Sequence, residues 1–502
     1  MIVQYNADLC IDEITESTGN FDSWLKKPIL DFFKYLLSNA AKAGAEGIYW
    51  LATGTTQIDA VKKEVQSRKQ AGFITCGIPV LNKEFLGYCF PYNPAYNIQS
   101  EQYFIHTWRI SADSGYLSPE LLANTVLDTQ RIESLPQLLQ LIAYHAFNSG
   151  YIVLQKLDTG SKKFPCSEAG IPGTLIAAKW IYVAAIAAAC SLDTAAFKLL
   201  FAKKNFIRAT IKNKFTDQFS DYPDIAACTY DVVIPTIGRG KVMHDVLDHL
   251  AAQDLLPQNV IIIQQVHPGV LDDYDYLKTA SYPFRIIHQV ITRLGACNAR
   301  NLAIAELKSD YVFFADDDIV FEKGVIKNGI VQLHHYGADV LTIATYLSGQ
   351  KTENRVVKGW EQFGTMSSVV KREFIKGNRF DLGLEMGWGE DTDFGLSLRR
   401  EGAVMFYSSY DRILHLKAPM GGFRSKVPKP WEKGIPAKPS PTMLYLHLKN
   451  YTVNQVRSYK LIYMTKRFVT APLKEKLMIP FYWNKSIKFA RDLLKNRDTI
   501  NQ

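Results

Sequence analysis

Beyond Tyr230 the chain alternates short apolar runs with longer stretches in which apolar residues recur every third or fourth position. Runs of four to eight apolar residues read as buried strands, and the 3.6-residue period reads as helices packed on them. The runs predict strands at 231–236 (Asp-Val-Val-Ile-Pro-Thr), 260–263, 284–287, 311–315 and 340–342. Helices are predicted through 242–252, after Gly295, through 327–335, and from the stretch 387–394, with Glu390 and Asp391 at its start, to near Arg400. Strands alternating with helices imply an α/β fold with a mainly parallel sheet, which takes ligands at the carboxyl ends of its strands. Thr236, Gln264 and Asp316 fall at those ends.

Residues 1–160 show a weaker version of the same order. A helix over 25–43, a strand over 47–52, Thr53-Gly54-Thr55-Thr56, a helix through 62–69 and a strand at 73–75 follow one another. They parallel the helix, strand 311–315, Asp316-Asp317-Asp318, helix and strand of the later region, and 138–154 parallels 394–407. A duplication with the N-terminal copy shortened and stripped of its acidic residues accounts for this, as do two unrelated α/β segments sharing an alternation. The Ala-rich stretch 174–191, with Lys179 inside it, is marginally long for a membrane span of roughly 20 residues and reads better as a buried helix. After the Pro/Lys-rich stretch 427–441, helical patterns cover 443–463 and 474–495. The expected division is an α/β region at 1–160, a helical linker at 161–225, a catalytic domain at 226–426 and a helical tail at 427–502.

Composition narrows the class. Of 502 residues, 47% are hydrophobic and 21% charged, the balance of a globular protein. Seven cysteines lie far apart without a CxxC pair, which argues against a disulfide framework or zinc site and fits a reducing compartment. The N-terminus has neither a basic start nor an apolar core, so no signal peptide is expected and a cytoplasmic location is. The net charge of +9 is concentrated beyond Asp411, where about 19 Lys/Arg face about 5 Asp/Glu. Aromatics (Tyr445, Tyr451, Tyr459, Tyr463, Phe481, Tyr482, Trp483) interleave with these cations. Such a tail suits the anionic inner face of a cell membrane, or a solvated helix packed back on the catalytic domain. No RNP-like, helix-turn-helix or zinc pattern is present, so nucleic acid is not an expected partner.

The densest chemistry is at Asp316-Asp317-Asp318, where the apolar strand ends in three carboxylates. Three adjacent carboxylates repel unless a cation intervenes; hard oxygen ligands suit Mg²⁺ or Mn²⁺ bridging to nucleotide phosphates, and a solvated acidic turn is the other reading. Further on come Thr365–Arg372, then Gly387-Trp388-Gly389-Glu390-Asp391-Thr392-Asp393-Phe394, then Ile413-Leu414-His415-Leu416-Lys417.

With the opening Val-Ile-Pro-Thr strand and Ala299-Arg300-Asn301, these elements resemble, in order, the GT-A-fold glycosyltransferases of family 2, over roughly 230–426. Gly-Trp-Gly-Glu-Asp is also similar to the acceptor motif of β-1,4-galactosyltransferases and bacterial chondroitin-type polymerases. The resemblance implies a Rossmann-like GT-A catalytic domain that moves a sugar from a nucleotide diphosphate. It implies Asp318 and His415 as ligands of Mn²⁺ or Mg²⁺, and Asp316 for the ribose. Pro235, Thr236, Arg239, Gln264, Arg300 and Asp317 would contact the rest of the donor. Asp391 is the implied general base, with Glu390 holding acceptor hydroxyls and Trp388 offering a face to a sugar ring. His415 could also be a core histidine, Trp388 ordinary packing, and Asp393 a helix cap or a partner of Arg399 or Arg400. Gln264-Gln265 stands where many relatives carry an Asp that reads uracil, so UDP is the default donor nucleotide and dTDP or GDP stay open. A single base and no second nucleophile imply inversion, onto a saccharide or lipid-linked acceptor in surface polysaccharide or glycolipid synthesis. The competing readings are a nucleotidyltransferase, of which Ile237-Gly238-Arg239-Gly240-Lys241 is a faint echo, and a non-catalytic sugar-binding scaffold.

Overall fold

The computed structural model describes residues 1–6, 8–17, 21–40, 47–53, 57–68, 70–77, 79, 100–128, 130, 132–158, 209–216, 218–219, 223–266, 274–351, 355–385, 387–417 and 429–501. The chain divides into two compact units, 1–215 with 357–359 and 452–466, and 216–356 with 360–451 and 467–502.

The first unit carries strands β1 (Ile2–Tyr5), β2 (Ile11–Thr15), β3 (Ile48–Ala52), β4 (Ala71–Cys76), β5 (Ile105–His106), β6 (Ser114–Leu117) and β8 (Ile152–Lys156) in the sheet order β2-β1-β3-β6-β4-β8-β5. Helices α1 (Ile29–Ser38), α2 (Ile58–Ser67), α3 (Pro119–Ala123) and α4 (Leu135–Asn148) accompany it. The strands β7 (Thr125–Leu127) and β9 (Ala209–Ile211) form a separate pair, and β16 (Val357–Gly359) belongs to the same unit. Its core is built on Phe33, Trp50, Phe73, Trp108, Leu139 and Phe147. Helix α1 is shorter than the pattern over 25–43 predicts: it opens at Ile29 after Pro28, and residues 41–43 lie outside the described residues. The Ala-rich stretch 174–191 also lies outside them. The described end of the expected helical linker holds strand β9 and a 3₁₀ turn, Pro223–Ala227, rather than a helix.

The second unit carries β10 (Tyr230–Thr236), β11 (Asn259–Gln265), β12 (Arg285–Ile291), β13 (Tyr311–Ala315), β14 (Ile319–Phe321), β15 (Val340–Leu347), β17 (Ser367–Lys371) and β18 (Met405–His415), in the order β12-β11-β10-β13-β17-β15-β18-β14. Helices α5 (Gly240–Ala251), α6 (Ala296–Ala305), α7 (Val325–Tyr336), α8 (Arg372–Ile375) and α9 (Glu390–Arg400) connect the strands. The sheet is mixed, because β17 enters antiparallel between β13 and β15. Beneath the acidic strand end, Phe314 packs with Phe363, Phe380 and Phe394, the last two stacked at 4.0 Å.

The two sheets repeat a pattern of pairing. In the second unit β10 runs parallel to β13, β13 antiparallel to β17, β17 antiparallel to β15, and β15 parallel to β18. In the first, β1 runs parallel to β3, β3 antiparallel to β6, β6 antiparallel to β4, and β4 parallel to β8. Helices fall at the same steps: α1 and α6 before β3 and β13, α2 and α7 before β4 and β15, α4 and α9 before β8 and β18. The first unit has an antiparallel hairpin strand, β2, where the second inserts the parallel strands β11 and β12. At the end of β3, in the position of Asp316, stands Thr53, whose hydroxyl bonds to the Tyr5 carbonyl at 3.0 Å. A neutral hydroxyl cannot replace a carboxylate as a charged metal ligand.

The C-terminal segment holds α10 (Pro441–Asn450), α11 (Val453–Thr470), α12 (Leu473–Lys476), α13 (Ile479–Lys495) and α14 (Arg497–Ile500). The pattern over 443–463 is broken where Tyr451 turns extended. That over 474–495 is broken before Pro480, which fits only a helix's first turn. Helix α10 buries Leu444, Tyr445 and Leu446 and packs against α13, α9 and the 3₁₀ turn Leu382–Leu384. No helix among the described residues is long and apolar enough to cross a membrane.

Candidate active site

The carboxyl ends of β10, β11 and β13 share one edge of the sheet, and the three aspartates at that edge have different surroundings. Asp317 points back into the fold: Thr236 Oγ1 donates to it at 2.6 Å and Arg239 Nη1 at 2.5 Å. Burial pushes its carboxyl up to about 6 against the pull of Arg239. Thr236 Oγ1 also lies 2.5 Å from the Tyr274 hydroxyl, which accepts the Arg239 backbone N–H at 3.0 Å. Pro235 precedes this knot on β10, so the knot fixes the loop after the first strand.

Asp318 is placed by strand register. Antiparallel pairing of β14 with β18 sets Ile319 opposite His415, which brings His415 Nε2 to 3.3 Å from Asp318 Oδ1. The imidazole is thus not a core histidine; it is partly exposed, and its hydrogen bond to Asp318 raises its pKa. Arg239 Nη1 also reaches Asp318 Oδ2 at 3.2 Å. Among the described residues no group of three or more His, Cys, Asp or Glu is arranged to hold a metal. This Asp–His pair could hold an ion that keeps water and substrate phosphates as its other ligands.

Asp316, its side chain 24% exposed, receives Arg300 Nη2 at 3.1 Å. Arg300 projects from α6 and is 5% exposed, with its guanidinium over the Phe380 ring at 5.6 Å. Its Nε and Nη1 are buried with no hydrogen-bond partner. Native proteins rarely leave such donors orphaned away from a ligand site. Asp391 and Glu390 act on the same guanidinium electrostatically, so Arg300 lies between the strand-end aspartates and the first turn of α9.

That first turn follows Gly389, whose φ of 108° places it in the left-handed region. Burial and the adjacent Asp391 push Glu390 up to about 7. Asp391 is also raised by burial, opposed by Arg300 and by hydrogen bonds from Thr365. One of its oxygens, Oδ1, is buried without a partner. Trp388 is 55% exposed beside them. Asp393 does not pair with Arg399 or Arg400, which sit at the far end of the helix; it accepts Lys449 Nζ at 2.7 Å and Asn450 Nδ2 at 2.8 Å from α10.

Gln264 is buried and bonds to His288 Nε2 at 2.7 Å, so its amide is turned toward β12. Gln265 accepts the Gly295 N–H at 2.6 Å. Sequence reasoning missed Tyr274, His288 and Glu385. The Glu385 carboxylate takes the N–H groups of Cys297 and Asn298 at 3.1 and 2.8 Å, capping the helix that carries Arg300. Gly295, with φ 144°, leaves that carboxylate its room, since a Cβ there would lie 2.1 Å from Glu385 Cδ.

Residues 231–387 match the family model described as Glycosyl transferase family 2. Among solved structures, S. aureus TarS 1–349 in complex with UDP-GlcNAc is 14% identical, covering 54% of this chain and 88% of that one, with a TM-score of 0.39. GalNAc-T7 with UDP, GalNAc and Mn²⁺ is 12% identical, covering 54% and 57%, with a TM-score of 0.35. The mannosyltransferase PcManGT from Pyrobaculum calidifontis, with GDP-Man and Mn²⁺, is 13% identical, covering 56% and 79%, with a TM-score of 0.33. No curated protein gives a significant match. Residues 231–387 thus form a Glycosyl transferase family 2 domain, the part of the chain that the family model covers.

Proposed function

We propose that the enzyme transfers a sugar, with inversion, from a uridine diphosphate donor to a hydroxyl of a saccharide or lipid-linked acceptor in the synthesis of a surface polysaccharide or glycolipid. The observation that carries this reading is Arg300. It is buried, bonded to Asp316 and acted on by Asp391, with two N–H-bearing nitrogens free to take a diphosphate.

Arg300 and Thr365 favour the charge on Asp391, while burial and Asp391 hold Glu390 up at about 7. Asp391 is then the base. It takes the proton of the acceptor hydroxyl as that oxygen bonds to the anomeric carbon. The bond from that carbon to the diphosphate oxygen breaks, and its electron pair stays with the diphosphate. One displacement inverts the centre. Glu390, neutral at pH 7 or below, can donate to an acceptor oxygen, and Trp388 offers a ring face. Asp316 is assigned to the ribose, Pro235, Thr236 and Gln264 to the nucleoside side, and Asp317 to holding Arg239 in place. Asp318 and His415 are the residues that would hold Mn²⁺ or Mg²⁺; an oxygen and an imidazole nitrogen 3.3 Å apart fit one such ion. When bound, the ion supplies positive charge for the leaving diphosphate.

The supporting surface we propose is the anionic cytoplasmic face of a membrane, touched peripherally. Phe468, Leu473, Leu477 and Phe481 are 57–79% exposed. Leu473 opens α12, Leu477 follows its last residue and Phe481 lies in the first turn of α13, while Lys476 contacts the Phe468 ring at 5.3 Å. Arg467, Lys474 and Lys476 stand next to them in the sequence. Sedimentation with phosphatidylglycerol vesicles should carry the protein down and leave a Leu473→Glu/Leu477→Glu variant in the supernatant. Equal sedimentation of both removes this part of the reading.

The chemistry is tested by calorimetric binding of UDP, dTDP, GDP and CDP, each with and without Mn²⁺. UDP is expected to bind only with the metal, and Asp318→Ala and His415→Ala to weaken that binding by about tenfold or more each. No metal-dependent binding of any nucleotide would leave the aspartates structural.

A further inference from the structure

We propose that helix α10 clamps the acceptor loop 387–391, which makes Thr442 and Lys449 positioning residues for sugar transfer. This rests on the reading of Asp391 as the base. The family match ends at residue 387, before α10 begins.

The loop lies flush on the helix. The Trp388 N–H donates to Thr442 Oγ1 at 2.8 Å. A Cβ on Gly387 would fall 2.2 Å from the Thr442 side chain, and one on Gly389 would fall 2.9 Å from Leu446 Cδ2. No side chain fits between loop and helix at either point, so glycine on both sides of Trp388 is what permits the approach.

The ends of the segment are tied to one cation. Lys449 Nζ donates to Asp381 Oδ2 at 2.5 Å and to Asp393 Oδ2 at 2.7 Å. Its side chain is 10% exposed, and those of the two carboxylates are 3% and 4%. Asp381 precedes the loop and Asp393 follows Asp391 by two residues, so a single buried ammonium joins the two ends of the 381–393 segment. Tyr445 donates to Asp381 at 2.7 Å and Asn450 to Asp393 at 2.8 Å from the same helix, and Asp381 also takes Asn501 Nδ2 at 3.0 Å and Arg497 Nε at 3.5 Å. Within the segment, Glu385 is bound to the start of α6, the helix of Arg300. The clamp therefore sets the base against both the acceptor and the guanidinium that faces the donor, where displacement by a fraction of an ångström is costly.

The test uses the full-length protein and the near-isosteric Thr442→Val, with Thr442→Ser as the conservative control. Two readouts are followed: amide hydrogen exchange, and UDP release by donor hydrolysis, water taking the sugar, across a panel of UDP-glucose, UDP-galactose, UDP-GlcNAc, UDP-GalNAc and UDP-glucuronic acid. Thr442→Val is expected to speed exchange across 387–391 while 311–318 stays protected. It should lower turnover about tenfold with the affinity for UDP and Mn²⁺ unchanged, and Thr442→Ser should restore both. Wild-type exchange at 387–391, or an equal loss of UDP–Mn²⁺ binding, overturns the proposal. If the wild-type protein hydrolyses no member of the panel, the donor reading is decided by UDP–Mn²⁺ binding alone, and the exchange measurement still decides the clamp.

Discussion

Replacing Glu390 by Gln should make the protein more stable and a poorer catalyst, and the gain should depend on pH. Burial and Asp391 raise this carboxyl from 4.5 to about 7. Below about pH 4.5 it is neutral in the folded and the unfolded chain and costs nothing. Between about 4.5 and 7 the unfolded chain releases the proton and the folded one keeps it, so stability falls as pH rises. Above about 7 the folded chain holds the charge, and the cost levels off at about 3 kcal/mol. At pH 5 the same shift costs about 1 kcal/mol. Glutamine is uncharged throughout, so the variant should gain these amounts. For a unit of this size that is a rise of roughly 6 °C in Tm at pH 8 and roughly 2 °C at pH 5. The two compact units need not unfold together, so the transition to read is the one that UDP with Mn²⁺ moves upward. A variant no more stable at pH 8, or equally stabilised at both pH values, would refute the account of this pair.

Two further outcomes are expected. Asp391→Asn should leave metal-dependent UDP binding nearly intact while lowering transfer by about 10²–10⁴-fold, and lost nucleotide binding in this variant would contradict the assigned roles. Lys449→Met leaves Asp393 buried without its cation and Asp381 with only Arg497 Nε at 3.5 Å, and should cost about 3–5 kcal/mol in thermal or urea unfolding; adding Asp393→Asn should recover part of it, and a Lys449→Met protein as stable as wild type would show that the carboxylates find other partners.

Much of the catalytic unit was legible in the chain because it is local. The apolar run 311–315 became β13 with those boundaries, and the carboxylates ended it as predicted. The order of strands, the start of α9 and the repeated helix–strand alternation of the N-terminal half all follow from periodicity, which is a short-range property. What the aspartates do is not local. Whether His415 was a core residue or a neighbour of Asp318 depended on β14 pairing with β18 in one register, between strands almost a hundred residues apart in sequence. The direct partners of Asp393 depended on α10 folding back: Lys449 and Asn450 take its oxygens, and Arg400 feels its charge without bonding to it. Composition could not divide the basic tail. Burial of Leu444, Tyr445 and Leu446 in α10 and exposure of Leu473 and Leu477 further on are decided by which faces find a partner. The sequence by itself determined which residues could carry charge and where strands must end. The tertiary structure decided which charges meet, because ion pairs and pKa shifts arise from distances and burial that no spacing along the chain contains.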